Sequence, residues 1–369
     1  MDTIAGLCAE CAGEGETRVT VLFVAVRDAL LVVSERSGRW VAERRSPGKS
    51  RLMCVTTDPR RPERVYCGTA SDGLWRSDDV GRSWTRVGSG AIHPRVTAVA
   101  VSATERGDGG EAVLYAGTEP SALYRSADAG ETWEERQALL ALPSAPTWSF
   151  PPHPETSHVR WIATDPLVPQ RIFVAIEAGA LVTSTDAGLT WTDRRPGGPY
   201  DTHTLVIHPR ATGRLYSAAG DGYFESTTSG VSWERREDGL RHRYAYGLAV
   251  EPDDPETIVI STSRSAMTAH NAASAESWIY RRMAGEPWRV VEHGLPEAVG
   301  TTISSLVADP HDSGVVYAAN NRGVYRSADM GESWERLRIE WSADYERERV
   351  AGVATGSLRR HPRASGDPG

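Results

Sequence analysis

The sequence is poor in lysine, in cysteine and in long apolar runs. Lys49 is the only lysine among 41 basic residues, and 49 acidic residues give a formal net charge of −8. No overall positive field therefore attracts nucleic acid or anionic lipid. Four cysteines in 369 residues do not form a disulfide framework. Since no stretch approaches the roughly 18 apolar residues of a membrane-spanning helix, we expect neither a nucleic-acid nor a membrane partner.

The amino-terminal segment lacks the features of a secretory signal. It reads MDTIAGLCAECAGEGETR and has neither a cationic start nor an apolar centre, so we expect a cytoplasmic protein. Cys8 and Cys11 have the spacing of a metal or redox pair, but a second ligand pair and a surrounding βαβ pattern are missing. Two free thiols in a flexible tail, residues 1–17, are the better interpretation, and residues 358–369 are predicted to form a second tail.

The sequence is rich in one eight-residue pattern. Ser126–Trp133 reads SADAGETW, and related stretches begin at Ser77, Ser184, Ser226 and Ser327. A glycine at the fifth position allows the positive φ of a tight hairpin. The aspartate accepts hydrogen bonds from the turn's own N–H groups, and the tryptophan packs the hairpin against its sheet. Because Thr228 replaces the aspartate in one copy, we interpret the pattern as a structural fastener, not as a repeated catalytic acid.

Each copy of the pattern belongs to a unit of four short strands. In the last unit SSLVADP precedes VYAANNRGVYRS, the turn follows, and ERLR comes after it. Units of about 40–60 residues are typical of propeller blades. Seven units align. The first unit, which begins at Val21, lacks an innermost strand, and residues 349–356 match the pattern of that missing strand. We predict an all-β, seven-bladed β-propeller of four-stranded antiparallel blades, a single domain over residues 18–357, closed by the C-terminal strand in blade 1.

These repeats resemble the Asp-box, or BNR, repeats of sialidase-type propellers from about Val21 to Gly356. Similar repeats occur in bacterial sialidases, in xyloglucan-cleaving glycoside hydrolases, in sortilin-type receptors and in the photosystem II assembly factor. The pattern is closest to that of bacterial BNR or sialidase-like repeat proteins, with WD40/YVTN-like blades. The resemblance implies the fold and not a particular function.

Candidate ligand-binding residues lie where the innermost strands begin, because propellers bind ligands where the central channel opens. They are Arg51, Arg95, Arg349, His158, Arg160, Trp161, His203, Tyr244 and Tyr246, with Asp201 in the same ring. Arg51, Arg95 and Arg349 come from adjacent blades and together favour a carboxylate or phosphate. The aromatic residues offer stacking faces for a sugar. The alternative is that the arginines turn outward to pair with acids such as Glu346 and Glu348. Insertions at 138–160 and 262–277 map to the same face, either as binding loops or as tolerated drift.

We predict a non-catalytic, monomeric propeller module that binds a protein partner, an anionic small molecule or a carbohydrate at this mouth, with no cofactor and no metal. The first alternative is a sialidase-like glycosidase using Asp201, Tyr244 and Tyr246. The Phe/Tyr-Arg-Ile-Pro motif that the resemblance implies is missing, and no second carboxylate is evident beside Asp201.

The second alternative is a metal-assisted lyase or hydrolase, since His158, His203 and His242 lie on neighbouring units.

Overall fold

A computed structural model describes residues 17–360, so Cys8, Cys11 and most of the two predicted tails lie outside the described residues. Between residues 17 and 360, short apolar runs separated by turn-forming residues produce 27 strands, and central strands such as Ile172–Ile176 and Leu215–Ala219 are buried along their whole length. In chain order the strands are β1 (Thr17–Val26), β2 (Ala29–Arg36), β3 (Arg39–Arg45), β4 (Leu52–Asp58), β5 (Arg61–Thr69), β6 (Leu74–Ser77), β7 (Thr85–Val87), β8 (Val96–Arg106), β9 (Ala112–Thr118), β10 (Leu123–Ser126), β11 (Glu134–Glu135), β12 (Val159–Thr164), β13 (Ile172–Ile176), β14 (Ala180–Ser184), β15 (Thr202–Ile207), β16 (Leu215–Ala219), β17 (Gly222–Ser226), β18 (Glu234–Arg235), β19 (Tyr244–Val250), β20 (Ile258–Ser263), β21 (Ser277–Arg282), β22 (Arg289–Val291), β23 (Ser305–Ala308), β24 (Val316–Asn320), β25 (Gly323–Ser327), β26 (Glu335–Arg336) and β27 (Val350–Arg360).

The strands form seven antiparallel sheets, which confirms the predicted seven-bladed β-propeller. Blade 1 has the order β27-β1-β2-β3, and blades 2, 3, 5, 6 and 7 are the consecutive meanders β4–β7, β8–β11, β15–β18, β19–β22 and β23–β26. Blade 4 contains β12, β13 and β14, and a bridge between Thr183 and Thr192 takes the place of its outer strand. The innermost strands contact one another around the ring and line a central channel.

The ring closes through β27, as the sequence predicts. This strand pairs with β1 from Thr17 opposite Arg360 to Val26 opposite Val350. Leu22, Phe23 and Val24 of β1 are fully buried. The closure therefore covers an apolar strand that would otherwise form an open sheet edge.

The five repeat turns, Ser77–Trp84, Ser126–Trp133, Ser184–Trp191, Ser226–Trp233 and Ser327–Trp334, share one hydrogen-bond pattern. In the second, Asp128 Oδ1 accepts hydrogen bonds from the Ser126 hydroxyl (2.7 Å) and the Thr132 N–H (2.9 Å). The Ser126 Oγ in turn accepts the Gly130 N–H at 2.8 Å. Beyond the predicted glycine, Ala129 also has a positive φ of 59°. The Ala129 N–H donates to the Ala112 carbonyl at 3.0 Å, which ties the turn to the neighbouring hairpin.

Neighbouring blades approach one another closely at Gly117 of β9 and Gly247 of β19, where glycines replace side chains. A Cβ atom on Gly117 would lie 2.3 Å from Val159 Cγ1, and one on Gly247 would lie 2.4 Å from the Ser304 carbonyl oxygen. These glycines set the width of the ring because no side chain fits between the strands. Between residues 17 and 360, no helix is long and apolar enough to cross a membrane.

Candidate functional site

The candidate site lies at the mouth of the ring, where the innermost strands begin. Seven of the ten predicted residues form one connected group there, and the structure adds Glu177 and His270. We call this group the mouth cluster. Its members are His158, Arg160, Glu177, Asp201, His203, Tyr244, Tyr246, His270 and Arg349.

Glu177 was missed by the sequence analysis and lies in the turn between β13 and β14. His158 Nε2 lies 2.9 Å from its Oε2 atom, and Arg160 Nε lies 3.5 Å from the same oxygen. Burial alone would raise the pKa of Glu177. The hydrogen bond with His158 and the charges of His203, His158 and Arg160 outweigh burial and hold the pKa well below its usual range. Glu177 is therefore a carboxylate at neutral pH.

Asp201 and His203 are held by the backbone of the neighbouring blades. Ala178, in the left-handed region with φ 48°, donates its N–H to Asp201 Oδ1 at 2.7 Å. His203 is fully buried, and its Nδ1 lies 2.7 Å from the Ala245 carbonyl. A carbonyl only accepts, so Nδ1 carries the proton and Nε2 faces the cluster. Asp201 Oδ2 lies 3.6 Å from this Nε2 atom.

Tyr244 connects His203 to the insertion at 262–277. Its hydroxyl lies 2.9 Å from Nε2 of His270, which belongs to that insertion, and 3.3 Å from Nε2 of His203. Burial, together with the charges of Arg349 and His203, holds the pKa of His270 well below its usual value. Burial and the nearby Glu177 and Asp201 carboxylates raise the pKa of Tyr244. At neutral pH His270 and Tyr244 are therefore uncharged polar groups.

Two guanidinium groups converge on Tyr246. Arg160 lies over the Tyr246 ring, 4.9 Å from its centroid, and Arg349 donates to the Tyr246 hydroxyl at 3.1 Å. Among residues 17–360 no carboxylate lies within the 4.0 Å ion-pair distance of Arg349. Both arginines therefore keep donors free for a further partner.

The other predicted residues lie apart from the mouth cluster. Arg51 pairs with Glu348 at 2.8 Å, and Arg95 pairs with Glu119 at 2.9 Å, so both are engaged at the rim. The Glu348 contact is the outward pairing that the sequence analysis kept as an alternative. Trp161 packs between blades 4 and 5 and donates its indole N–H to the Leu205 carbonyl at 3.0 Å. The structure therefore does not bring Arg51, Arg95 and Arg349 together as three free guanidinium groups.

His242 also lies outside the cluster, stacked on Trp278 with ring centroids 3.5 Å apart. The ligand atoms that the structure does bring together belong to Glu177, Asp201 and His203. One oxygen from each carboxylate and one ring nitrogen of His203 lie within 4.8 Å of one another. Of the three histidines named for the metal-assisted alternative, only His203 contributes to this group.

The channel below the mouth cluster is mainly apolar. It has a volume of about 420 Å³, with Arg160 and Tyr246 in the wall at the mouth end. Deeper in the channel the wall includes Val55, Ile162 and Leu248. The channel wall also carries threonine hydroxyls such as those of Thr57 and Thr164, whereas the guanidinium group of Arg160 lies at the mouth end.

No family model and no curated protein matches the sequence. Solved structures match in fold. The GH74 enzyme from Niastella koreensis is 17% identical, with a TM-score of 0.62 over 88% of this chain and 54% of that protein. The GH74 xyloglucanase from Xanthomonas campestris is 16% identical, with a TM-score of 0.59 over 85% of this chain and 54% of that protein. YCF48 bound to D1 peptide is 15% identical, with a TM-score of 0.54 over 85% of this chain and 94% of that protein. The chain spans about half the length of these GH74 enzymes, and at such identities the similarity concerns the fold.

Proposed function

We propose that this propeller is a non-catalytic module that binds an anionic group at its mouth through Arg160 and Arg349. The anion is a carboxylate or phosphate carried by a small molecule, by an acidic sugar or by an acidic segment of a protein partner. All three sources present the same chemistry to the two guanidinium groups. The proposal keeps the ligand class expected from the sequence and changes which arginines bind it.

The observation that carries the proposal is the unfilled donor capacity of Arg160 and Arg349. Arg349 donates one hydrogen bond to a phenol, and the nearest carboxylate oxygen to Arg160 is 3.5 Å from Nε. Arg160 has a side chain only 12% exposed, so its charge is poorly screened by water. An anion lying beside Tyr246 would complete the hydrogen bonding of both arginines. Arg51 and Arg95 belong to the exposed rim and would act only after breaking their existing ion pairs.

The rim around the mouth also favours a macromolecular source for the anion. Met267, in the insertion at 262–277, is 81% exposed, and Val299 is 73% exposed. Glu276, of the same insertion, forms a bridge with Val299. Large apolar side chains on an insertion beside a polar mouth provide contact area for a peptide flanking the bound carboxylate. The similarity in fold to YCF48, described as bound to D1 peptide, is compatible with this use of a propeller.

The test measures thermal stabilisation by defined anions. Citrate, inorganic phosphate and glucuronate represent small ligands, and hexaglutamate represents an acidic peptide. At least one probe is expected to raise the melting temperature of the wild type and to have little effect on Arg160→Gln and Arg349→Gln. Arg39→Gln, a change of an exposed arginine in β3, is the matched control and retains the response. A wild type that ignores every probe, or Gln variants that respond like the wild type, would contradict the proposal.

One observation favours the glycosidase alternative. Glu177 supplies the second carboxylate that the sequence analysis did not find, and one of its oxygens lies within 4.8 Å of one from Asp201. Retaining glycosidases use a pair of carboxyl groups about 5–5.5 Å apart. Turnover of a fluorogenic glycoside panel, lost in both Glu177→Gln and Asp201→Asn, would support this alternative. No turnover by the wild type would remove it.

The repeat turns support a second proposal, that the chain is an Asp-box propeller and that residues 18–357 form its single domain. Four of the five turns carry the aspartate with the same serine and backbone contacts. In the remaining turn, Ser226–Trp233, Thr228 Oγ1 accepts the Ser232 N–H at 2.9 Å in place of a carboxylate. A fragment of residues 18–357 that melts cooperatively would support these limits, and one that does not fold would contradict them.

A further inference from the structure

Glu177, Asp201 and His203 bring two carboxylates and one imidazole together, an arrangement that suits a cation and not an anion. Each side chain is fixed by a hydrogen bond at one atom. Within residues 17–360 the second ligand atom either makes no hydrogen bond, as for Glu177 Oε1 and Asp201 Oδ2, or makes a long one, as for His203 Nε2 at 3.3 Å from the Tyr244 hydroxyl. His158 holds Glu177 Oε2, the Ala178 N–H holds Asp201 Oδ1, and the Ala245 carbonyl holds His203 Nδ1–H. Metal ligands in proteins are commonly oriented in this way by outer hydrogen bonds. We propose that Glu177, Asp201 and His203 bind one divalent transition-metal ion of the Zn²⁺ or Mn²⁺ type.

The separation between His203 and Asp201 supports an ion between them. His203 Nε2 and Asp201 Oδ2 are 3.6 Å apart, which is too long for a hydrogen bond. Two ligand atoms bound to one ion at about 2.0–2.2 Å with tetrahedral angles lie roughly 3.3–3.6 Å apart. The pair therefore has the spacing of two ligands on a common ion. Glu177 has the more adjustable position, because its Oε1 atom makes no hydrogen bond or ion pair within residues 17–360.

The burial of His203 gives an independent reason. Its side chain is 1% exposed, and because Nδ1 donates to the Ala245 carbonyl, Nε2 is the ring nitrogen that faces the cluster. Within residues 17–360 the hydrogen-bond contact of Nε2 is to the Tyr244 hydroxyl at 3.3 Å, and that hydroxyl lies closer to His270 Nε2, at 2.9 Å. A buried ring nitrogen with only a long, shared contact keeps capacity for a further partner, which a metal ion would fill.

The ligand set indicates which ions fit. Two carboxylates and one imidazole suit Zn²⁺, Mn²⁺ and similar ions, whereas Ca²⁺ requires six to eight oxygen ligands. Three protein ligands leave coordination positions open. Arg160 and His158 both contact Oε2 of Glu177, which leaves Oε1 as the oxygen available to an ion. An anion held by Arg160 and Arg349 would reach the open positions, which links this site to the proposed function without depending on it.

The test uses the full chain stripped of metal with a chelator. Titration calorimetry with Zn²⁺ and electron paramagnetic resonance with Mn²⁺ are expected to give one site per chain. Glu177→Gln, Asp201→Asn and His203→Gln are expected to weaken binding at least 10–100-fold. The matched controls are Glu119→Gln, another buried acid at the mouth, and His208→Gln, a buried histidine whose two ring nitrogens are already hydrogen-bonded. Both controls are expected to bind like the wild type.

The outcomes separate this proposal from the anion proposal. Absence of stoichiometric binding, or unchanged affinity in Glu177→Gln and Asp201→Asn, overturns the metal site. These two variants decide the question if His203→Gln does not fold, which circular dichroism would reveal. Arg349→Gln is expected to keep the metal and lose the response to anions. If the protein has no affinity for metal but its melting temperature still responds to anions, the proposed function stands and the metal site does not.

Discussion

The role of the repeat turns is testable at Asp128. Its Oδ1 atom accepts the Thr132 N–H at 2.9 Å and the Ser126 hydroxyl at 2.7 Å, and its Oδ2 accepts the Thr132 hydroxyl. Asp128→Ala removes the two oxygen atoms that accept these three hydrogen bonds. Thr132 is exposed, so water replaces part of the loss, and the expected cost is about 1–2 kcal/mol, as for the removal of a helix cap.

This cost corresponds to a small but measurable change in melting temperature. At about 2.1 cal/mol/K per residue, the unfolding entropy of a 369-residue chain is roughly 0.8 kcal/mol/K. A loss of about 1–2 kcal/mol therefore lowers the melting temperature by about 1–3 °C. Differential scanning calorimetry at several scan rates resolves such a difference.

The fourth turn provides the matched control, because Thr228 occupies the position of the aspartate there. Its hydroxyl oxygen accepts the Ser232 N–H at 2.9 Å, so Asp128→Thr is expected to recover most of the loss. A wild type and an Asp128→Thr variant that both melt well above Asp128→Ala would support the fastener interpretation. Equal melting of Asp128→Ala and wild type would refute it, and equal melting of the two variants would refute the acceptor role of the threonine.

The same variants give a pH test. Burial alone would raise the pKa of Asp128, but hydrogen bonds from Thr132 and Ser126 outweigh it and lower the pKa below that of the unfolded chain. For the equivalent Asp79 the pKa falls to about 2. The stabilisation is therefore complete above about pH 4 and is lost as the pH falls through the folded-state pKa. The advantage of the wild type over the neutral Asp128→Thr is expected to shrink between pH 5 and pH 2.

Two further predictions concern the ring. Gly247→Ala is expected to lower the melting temperature clearly, because its Cβ would lie 2.4 Å from the Ser304 carbonyl oxygen. The control, Gly352→Ala, is expected to be tolerated, because the atom nearest to its Cβ would be 3.5 Å away. Equal effects of the two substitutions in calorimetry would show that the ring adjusts its width. Asn321→Ala is expected to lower the free energy of unfolding in urea by about 2–4 kcal/mol, because the buried amide accepts the Thr302 N–H and donates to the Gly300 and Glu346 carbonyls. A decrease below about 0.5 kcal/mol would show that water replaces these hydrogen bonds.

The fold was predictable from the sequence because it repeats. Five similar turns identified five of the seven blades, and the strand patterns of the other two aligned with them. That alignment left β1 without an inner neighbour and β27 without a blade. The geometry of the turns was only partly predictable. The glycine was anticipated, but the positive φ of Ala129 was not, because alanine has no preference for that conformation and adopts it here under tertiary contacts.

The candidate site was predictable as a place more than as a set of contacts. Aligning the innermost strands located His203, Tyr244 and Tyr246 at the mouth. It did not reveal that Arg51 and Arg95 pair with Glu348 and Glu119, because those acids come from loops whose positions depend on the assembled ring. Glu177 was missed because only the starts of the innermost strands were aligned. The turns between the second and third strands open on the same face, and including them would have found it.

The pairing of β1 with β27 also has a consequence for synthesis of the chain. β1 is made first among the described strands, yet its inner neighbour is made only after six complete blades have followed. At about 5–20 residues per second, this delay is on the order of tens of seconds. Throughout that time Leu22, Phe23 and Val24 belong to an unpaired edge that chaperones or another nascent chain could bind. The emergence of β27 from the ribosome, more than the formation of any one blade, therefore sets the earliest moment at which the native ring exists.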